Sequence, residues 1–359
     1  MSSISFAEAF AKVVAGARAG GEPLDAAVVR RAFDAILSGA WTPVQTGAFA
    51  VAVRMHGETK EILVAAAESM RAAMTSVSHE RAIVVDTCGT GGDGSGTLNI
   101  STAAAVVVAA CGVAVAKHGN RSVSSRCGSA DVIEALGIPL AVPPEHQTHV
   151  LRETGIAFLF APAHHPALKH AAQARKELGV RTIFNAVGPL ANPARATHQL
   201  VGVYDDALRP LVAAALGALG VRRAWVVRSE DGLDEVSPSA STRVSELGAD
   251  GRVTERVLSP EDFGLPRISR SALAGSSTEE NAAAVAAILN GTAHVATDAV
   301  ILNAAAALAV AGVDTDLRAC SALARRAIAS GRTRDVLEAW RTTAIKWAAS
   351  EHPKGWSTR

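Results

Sequence analysis

Up to about residue 75 the apolar positions recur at helical spacing, so this stretch predicts helices throughout. Thr42-Pro43-Val44-Gln45 is a capping box with proline at the first helical position. Thr59 with Glu61 opens a further helix that runs to about Ala73. These helices are too few and too alanine-rich for a robust core of their own, and should pack on the rest of the chain or on a second subunit. From Arg81 the pattern changes. Short apolar runs at 82–85, 112–116, 138–142, 156–160, 200–203 and 223–227 read as strands, with helical stretches between them. That alternation predicts an α/β fold with a mainly parallel sheet and helices on both faces. Residues 166–178 read as helix. The Gly-, Pro- and Asn-rich run 185–193 reads as a loop placed where a hinge would be. Beyond Val227 come acidic and serine-rich loops and short strands near 253–258. Two or more alanine-rich helices follow, one of them spanning about 297–310.

Two polar interruptions of this pattern carry chemistry. The first run of strand pattern leads into Gly89-Thr90-Gly91-Gly92-Asp93-Gly94, and residues 101–108 then read as a helix with Ser101 as its hydroxyl cap. A strand, a glycine turn and a helix N-terminus aim several backbone N–H groups at one point, which suits a phosphate. The next predicted strand ends in Lys117-His118-Gly119-Asn120-Arg121-Ser122. A dinucleotide fold would need a carboxylate there for a ribose hydroxyl, so the cation argues against that reading and supplies a second phosphate-binding group. No Gly-Lys-Ser/Thr closes the turn, which excludes a P-loop.

Composition sets the bounds. The 359 residues are 49% apolar, enough for about two domains with a sizeable core. A net charge of +1 gives no footprint of a nucleic-acid or membrane surface. Glu8 and Lys12 interrupt the first apolar residues, so no secretory leader is expected, and the run 103–116 is too short to span a bilayer. Cys88, Cys111, Cys127 and Cys320 show no C-x-x-C spacing and read as reduced thiols of a cytoplasmic protein.

Three further groups sharpen the picture. Asp234-Glu235 puts two carboxylates side by side on a loop, as a hard oxygen-liganded cation such as Mg²⁺ requires; a solvated acidic turn would show the same pair. Asn99-Ile100-Ser101-Thr102 stands where the glycine turn enters its helix, and its polar groups serve equally as caps or as donors to phosphate oxygens. Arg175 lies in the last turn of a helix ended by Gly179. The helix dipole favours a cation there, and a guanidinium beside a cleft is also a fork for a carboxylate.

Taken in order, these motifs resemble the anthranilate phosphoribosyltransferase family over essentially the full length. The marks are Asp86-Thr87-Cys88 with the glycine turn, Asn99 to Thr102, Ala116 to Ser125, and Gly128-Ser129-Ala130-Asp131-Val132. They continue as His165-Pro166-Ala167, Arg175 to Gly179, Arg181-Thr182-Ile183-Phe184-Asn185, Gly188-Pro189-Leu190-Ala191-Asn192-Pro193 and Asp234-Glu235. The resemblance implies a small all-helical domain hinged to a larger α/β domain, the fold shared with nucleoside phosphorylases. The helical part would be residues 1–76 with about 166–196, the α/β part 77–165 and 197–359. It also implies a homodimer through the helical domain.

The implied reaction joins the amine of anthranilate to C1 of phosphoribosyl pyrophosphate and releases pyrophosphate, the second step from chorismate to tryptophan. By the same resemblance Gly89, Thr90, Gly91, Gly92, Thr97 and Lys117 hold phosphate groups, with Asn99, Thr102 and Ser129 completing the cradle. Asp93 serves a ribose hydroxyl or a metal-bound water. Ser101, Asp234 and Glu235 hold one or two Mg²⁺ ions. Gly89, His118, Asn120, His165, Arg175, Gly188 and Pro189 line the anthranilate side, with Arg175 on the carboxylate and His118 at most an orienter. The lesser alternative for His118 and His165 is a satisfied structural histidine. A pyrimidine nucleoside phosphorylase would share the architecture and a Lys-His phosphate motif. It would use no Mg²⁺, and the Asp234-Glu235 pair argues against it. A non-catalytic nucleic-acid-binding relative should show a basic groove and damaged motifs, neither of which this sequence has. Another acceptor on the same donor is the remaining alternative.

Overall fold

A computed structural model describes residues 4–16, 23–91, 96–121 and 127–350. Gly92, Asp93, Gly94 and residues 122–125, all within the motifs above, lie outside the described residues. Four helices come first: α1 (Phe6–Gly16), α2 (Ala26–Leu37), α3 (Pro43–His56) and α4 (Lys60–Ala73). The Thr42 hydroxyl accepts the Gln45 N–H at 3.3 Å while the Gln45 side chain accepts the Thr42 N–H at 2.9 Å, the reciprocal box expected at the start of α3. Thr59 caps α4 by accepting the Ile62 N–H at 3.3 Å.

The alternating part follows as β1 (Val84–Gly89), α5 (Ile100–Ala110), β2 (Ala114–Gly119), α6 (Ser129–Ala135), α7 (Gln147–Thr154), β3 (Ile156–Phe160) and α8 (Ala161–His164). Then come α9 (Lys169–Leu178) and α10 (Ile183–Val187), which turn back to the first helices: α9 packs on α2 and α3, α10 on α3 and α4. The chain returns through β4 (His198–Gly202), α11 (Leu208–Ala218), β5 (Arg223–Ser229), β6 (Thr242–Leu247) and β7 (Val253–Leu258). It closes with α12 (Thr278–Leu289), α13 (Thr297–Val310), α14 (Leu317–Ala329) and α15 (Arg332–Ala348).

The seven strands form one sheet in the order β3-β2-β1-β4-β5-β6-β7. Pairing is parallel from β3 to β5, and β6 and β7 are added antiparallel. From β1 the chain first builds to one side and then, through β4, to the other. Such a reversal opens a crevice at the carboxyl ends of the central strands. Successive residues of a strand face opposite ways, and two cores result. Leu200, Trp225 and Val227 face a core shared with α5 and α13. Val201, Ala224 and Val226 face α11 and the core of the N-terminal helices. The early helices thus share their core with one face of the sheet, as their small size demanded.

Several boundaries differ from expectation. β1 and β2 run on to Gly89 and Gly119, because β4 and β3 continue to offer ladder partners there. Residues 138–142 form no strand: Ile138, Leu140 and Val142 are buried, but Pro139 has no N–H for a ladder. β6, not expected, carries Arg243 and Glu246 between its buried positions. The run 185–193 is not an open loop. It comprises the end of α10 and a 3₁₀ turn, Gly188–Ala191. Ser101 lies inside the first turn of α5, with Asn99 at the cap position but making no side-chain cap bond.

Candidate active site

The donor-side motifs meet at the carboxyl ends of β1, β2 and β4. Gly89 pairs with Gly202 across the parallel ladder, and both glycines lie directly under the acidic loop. A Cβ on Gly89 would stand 3.0 Å from Asp234 Oδ2, and one on Gly202 would stand 1.6 Å from the Asp234 carbonyl oxygen. Thr90 is pinned from both ends: its N–H donates to the Gly202 carbonyl at 2.9 Å, and its hydroxyl accepts the Tyr204 N–H at 3.0 Å. Gly91 has a φ of 66°, the left-handed region that glycine enters without strain. Thr97 makes an isolated bridge to Ala274.

The N-terminus of α5 faces the same point. Ser101 N–H donates to Glu235 Oε1 at 3.2 Å, an anion placed where the helix dipole favours one. Lys117 is buried. Its ammonium donates to the Thr87 carbonyl and, at 3.2 Å, to the Ser101 hydroxyl. Burial pushes its pKa below the usual lysine value, and Asp86, Cys88, Glu235 and Asp234 pull the other way. Among the described residues it has no ion pair, so an arriving phosphate would be its direct counter-charge. Asn99 accepts from the Asn281 amide at 3.3 Å, and the buried Thr102 hydroxyl has no partner among the described residues.

Asp234 and Glu235 sit on a loop held by α13. The Asn303 side chain accepts the Val236 N–H at 3.0 Å and donates to the Val236 carbonyl at 2.9 Å. Among the described residues no three His, Cys, Asp or Glu side chains cluster as a complete metal cage. Two carboxylates and the Ser101 hydroxyl form an all-oxygen set. This fits Mg²⁺, which binds through one or two carboxylates plus substrate phosphates rather than through a full protein cage.

On the other side of β2, His118 and His165 come together with the Gly188–Ala191 turn. The His118 and His165 rings lie 5.1 Å apart between centroids, both buried, and the Nε2 atom of each has no partner among the described residues. Burial, then the neighbouring imidazoles, push His118 well below the usual histidine pKa. Burial, then His164, lowers His165 to about 4. Both rings are therefore neutral at pH 7. Gly188 is unlike Gly89 and Gly202: a Cβ there would meet nothing within 4 Å. The Pro189 carbonyl accepts from Gln199 at 2.9 Å, which seats this turn on β4. Arg175 is half-buried with its guanidinium 5.8 Å from the Phe184 ring centre, and it has no ion pair among the described residues. Asn120 is exposed, and its backbone carbonyl accepts from the Ser129 hydroxyl at 3.2 Å.

Some contributors gave no signal that assigned them a role. Gly202 lies in an ordinary apolar run, and its steric demand exists only against Asp234. Asn303 interrupts an otherwise apolar helix, the one mark that could have singled it out. Asp86 and Asn192 stand within the quoted motifs, but nothing in the sequence shows that they meet in a 2.7 Å hydrogen bond.

Comparison with known proteins agrees with this fold. The family model for the glycosyl transferase family helical bundle domain matches residues 7–74, and that for the glycosyl transferase family a/b domain matches residues 81–334. An anthranilate phosphoribosyltransferase of Myxococcus xanthus is 49% identical over 332 residues, covering 92% of this chain and 97% of the relative. One from Moorella thermoacetica is 49% identical over 94% of this chain and 98% of the relative. The crystal structure of anthranilate phosphoribosyltransferase from Thermus thermophilus superposes with a TM-score of 0.87 at 41% identity, covering 94% of this chain and 99% of that one. The Saccharomyces cerevisiae enzyme in complex with phosphoribosyl pyrophosphate and Mg superposes with a TM-score of 0.86 at 26% identity, covering 95% and 99%. With both domains matched and near-half identity over nearly its whole length, the chain belongs to the anthranilate phosphoribosyltransferase family.

Proposed function

We infer that this chain transfers the phosphoribosyl group of 5-phosphoribosyl 1-pyrophosphate to the amine of anthranilate, in tryptophan biosynthesis. One observation carries the reading. A phosphate-suited turn with buried Lys117 and the Asp234–Glu235 loop lies on one side of β2, and a pair of buried histidines lies on the other. Breaking the C1–oxygen bond leaves positive charge on the sugar and adds negative charge to pyrophosphate. Catalysis then rests on stabilising the leaving charge and aligning the nucleophile. Gly89, Thr90 and Gly91 with Lys117 bind phosphate oxygens, and Asn99, Thr97, Thr102 and Ser129 complete the cradle. Bound through Ser101, Asp234 and Glu235, one or two Mg²⁺ ions supply charge neutralisation of the diphosphate. An aromatic amine is already neutral at pH 7 and needs alignment more than deprotonation. His118 and His165, themselves neutral, orient it. Arg175 takes the carboxylate, and Asn120, Gly188 and Pro189 bound the ring.

We assign residues 1–76 with about 166–196 to a helical domain, and 77–165 with 197–359 to the α/β domain. The packing of α9 and α10 on α2, α3 and α4 supports this division. A homodimer through the helical domain is supported by Val44 and Met55 of α3, 79% and 77% exposed, and by Val180, 61% exposed. A cytoplasmic setting is supported by four cysteines, none of them in a disulfide among the described residues. The deciding experiment follows anthranilate fluorescence with purified protein, donor and Mg²⁺. Donor-dependent decay that a chelator stops is expected. A folded protein that leaves the fluorescence unchanged would overturn the reading.

A further inference from the structure

The ladder between β1 and β2 stops early. Their pairing covers Val84↔Ala114 and Val85↔Val115. On the outer sides, β1 continues with β4 to Gly89↔Gly202, and β2 with β3 to Gly119↔Phe160. Past Val85 the two central strands are joined by side chains instead. Asp86 Oδ1 accepts the His118 N–H at 3.0 Å. Asn192 Nδ2 donates to Asp86 Oδ2 at 2.7 Å and to the Ala116 carbonyl at 2.8 Å, and its Oδ1 accepts the Ala194 N–H at 2.8 Å. Lys117 closes the seam by donating to the Thr87 carbonyl. Asp86 is 0% and Asn192 1% exposed. Among the described residues Asp86 has no ion pair within 4.0 Å; its direct partners are the hydrogen bonds from His118 N–H and Asn192, and the buried Lys117 charge acts on it from further off. Burying such a group is destabilising unless it is fully hydrogen-bonded, and apolar residues would fill the same space at less cost, so its presence points to a need for its position.

What it positions is specific. Lys117 and His118 are consecutive in a strand and so face opposite sides, the donor and the acceptor. Asn192 ends the segment Gly188-Pro189-Leu190-Ala191, which lies against His118 and His165. We propose that Asp86 and Asn192 are positioning residues. They form a buried seam that seats the 188–192 segment on β2 and sets His118 against it, so that recognition of the acceptor depends on a pair that touches neither substrate. The proposal rests on the functional reading above.

The test separates the two substrates. Asn192→Leu leaves the Ala116 carbonyl and the Asp86 carboxyl short of a donor. It should raise KM for anthranilate about tenfold, the equivalent of ~1.4 kcal/mol for a lost buried hydrogen bond. KM for the donor should change less than about twofold by the same scale, and calorimetric binding of the donor with Mg²⁺ should be retained. Asn192→Asp sets two carboxyls together and should be worse. Adding Asp86→Asn restores an amide–carboxylate pair with its polarity reversed, and should recover much of the anthranilate KM. Should Asn192→Leu not fold, Asn192→Ser gives the same comparison. Equal rises in both KM values, or a lower Tm with neither KM changed, would overturn the proposal and leave the seam as support for the fold alone. A wild-type chain that does not consume anthranilate would overturn the functional reading, and this inference with it.

Discussion

Gly202→Ala adds one methyl group and should disable the metal side of the site. The added Cβ would lie 1.6 Å from the Asp234 carbonyl oxygen, 2.5 Å from its carbonyl carbon and 3.0 Å from its Cβ. All three belong to the acidic loop itself, and two are backbone, so no rotamer change relieves the clash. Reaching an ordinary contact of 3.4 Å from 1.6 Å moves the two apart by about 1.8 Å. β4 is laddered on both sides, to β1 and to β5, and yields least. The loop must therefore retreat, against the two hydrogen bonds with which Asn303 grips Val236. Overpacking of this kind costs about 1–3 kcal/mol of stability. Misplacing catalytic groups by about 1 Å is enough to cost roughly 100-fold in rate. The assay is anthranilate fluorescence decay across a Mg²⁺ titration, with thermal unfolding run in parallel. The expected result is a Tm fall, a rate loss of about two orders of magnitude, and a higher Mg²⁺ concentration for half-maximal rate. A Gly202→Ala protein with wild-type rate and wild-type Mg²⁺ dependence would refute the placement of Asp234 and Glu235 at the metal.

Four other outcomes follow from the same geometry. Gly188→Ala meets open space, so Tm should shift by no more than about 0.5 kcal/mol equivalent while anthranilate KM rises; a changed Tm with normal KM would remove Gly188 from the acceptor wall. Arg175→Ala should raise anthranilate KM far more than donor KM, since its guanidinium has no ion pair to lose among the described residues, and steady-state kinetics with each substrate varied decides it. Asn303→Leu strands the Val236 N–H and carbonyl in the core. It should lower stability by about 1–3 kcal/mol and raise the Mg²⁺ requirement, both measurable on one preparation. His165 is held neutral, its pKa lowered from 6.5 to about 4, so the unfolded chain binds more protons between those values. Its contribution is present above pH 6.5 and is lost as pH falls towards 4, and His165→Gln should flatten the Tm profile across that window.

Local chemistry was legible in the sequence alone. The box at Thr42 and Gln45 and the cap at Thr59 are set by residues within four positions of each other, and they stand where expected. The helix at Thr297–Val310 and the strands at Ile156–Phe160 and Val253–Leu258 have the expected ends, since apolar period and flanking breakers agree there. Motif order was enough for the family, because a phosphate turn, a buried cation and a carboxylate pair must each be written in particular residues. Strand ends at Gly89 and Gly119 were missed because glycine and charge read locally as a turn. Only the neighbouring strands supply the ladder that extends them.

What only the tertiary structure decided is the set of contacts between segments far apart in the chain. Gly202 has to be glycine because Asp234 crosses it, the Asn303 side chain meets both backbone groups of Val236, and Asp86 of β1 is held by His118 of β2 and by Asn192. None of these residues reveals its partner through its sequence neighbours. The sequence by itself determined which groups could bind phosphate, metal and an aromatic acid. Folding decided which of them meet, because a clash or a buried hydrogen bond acts over a few ångströms of space and is blind to separation along the chain.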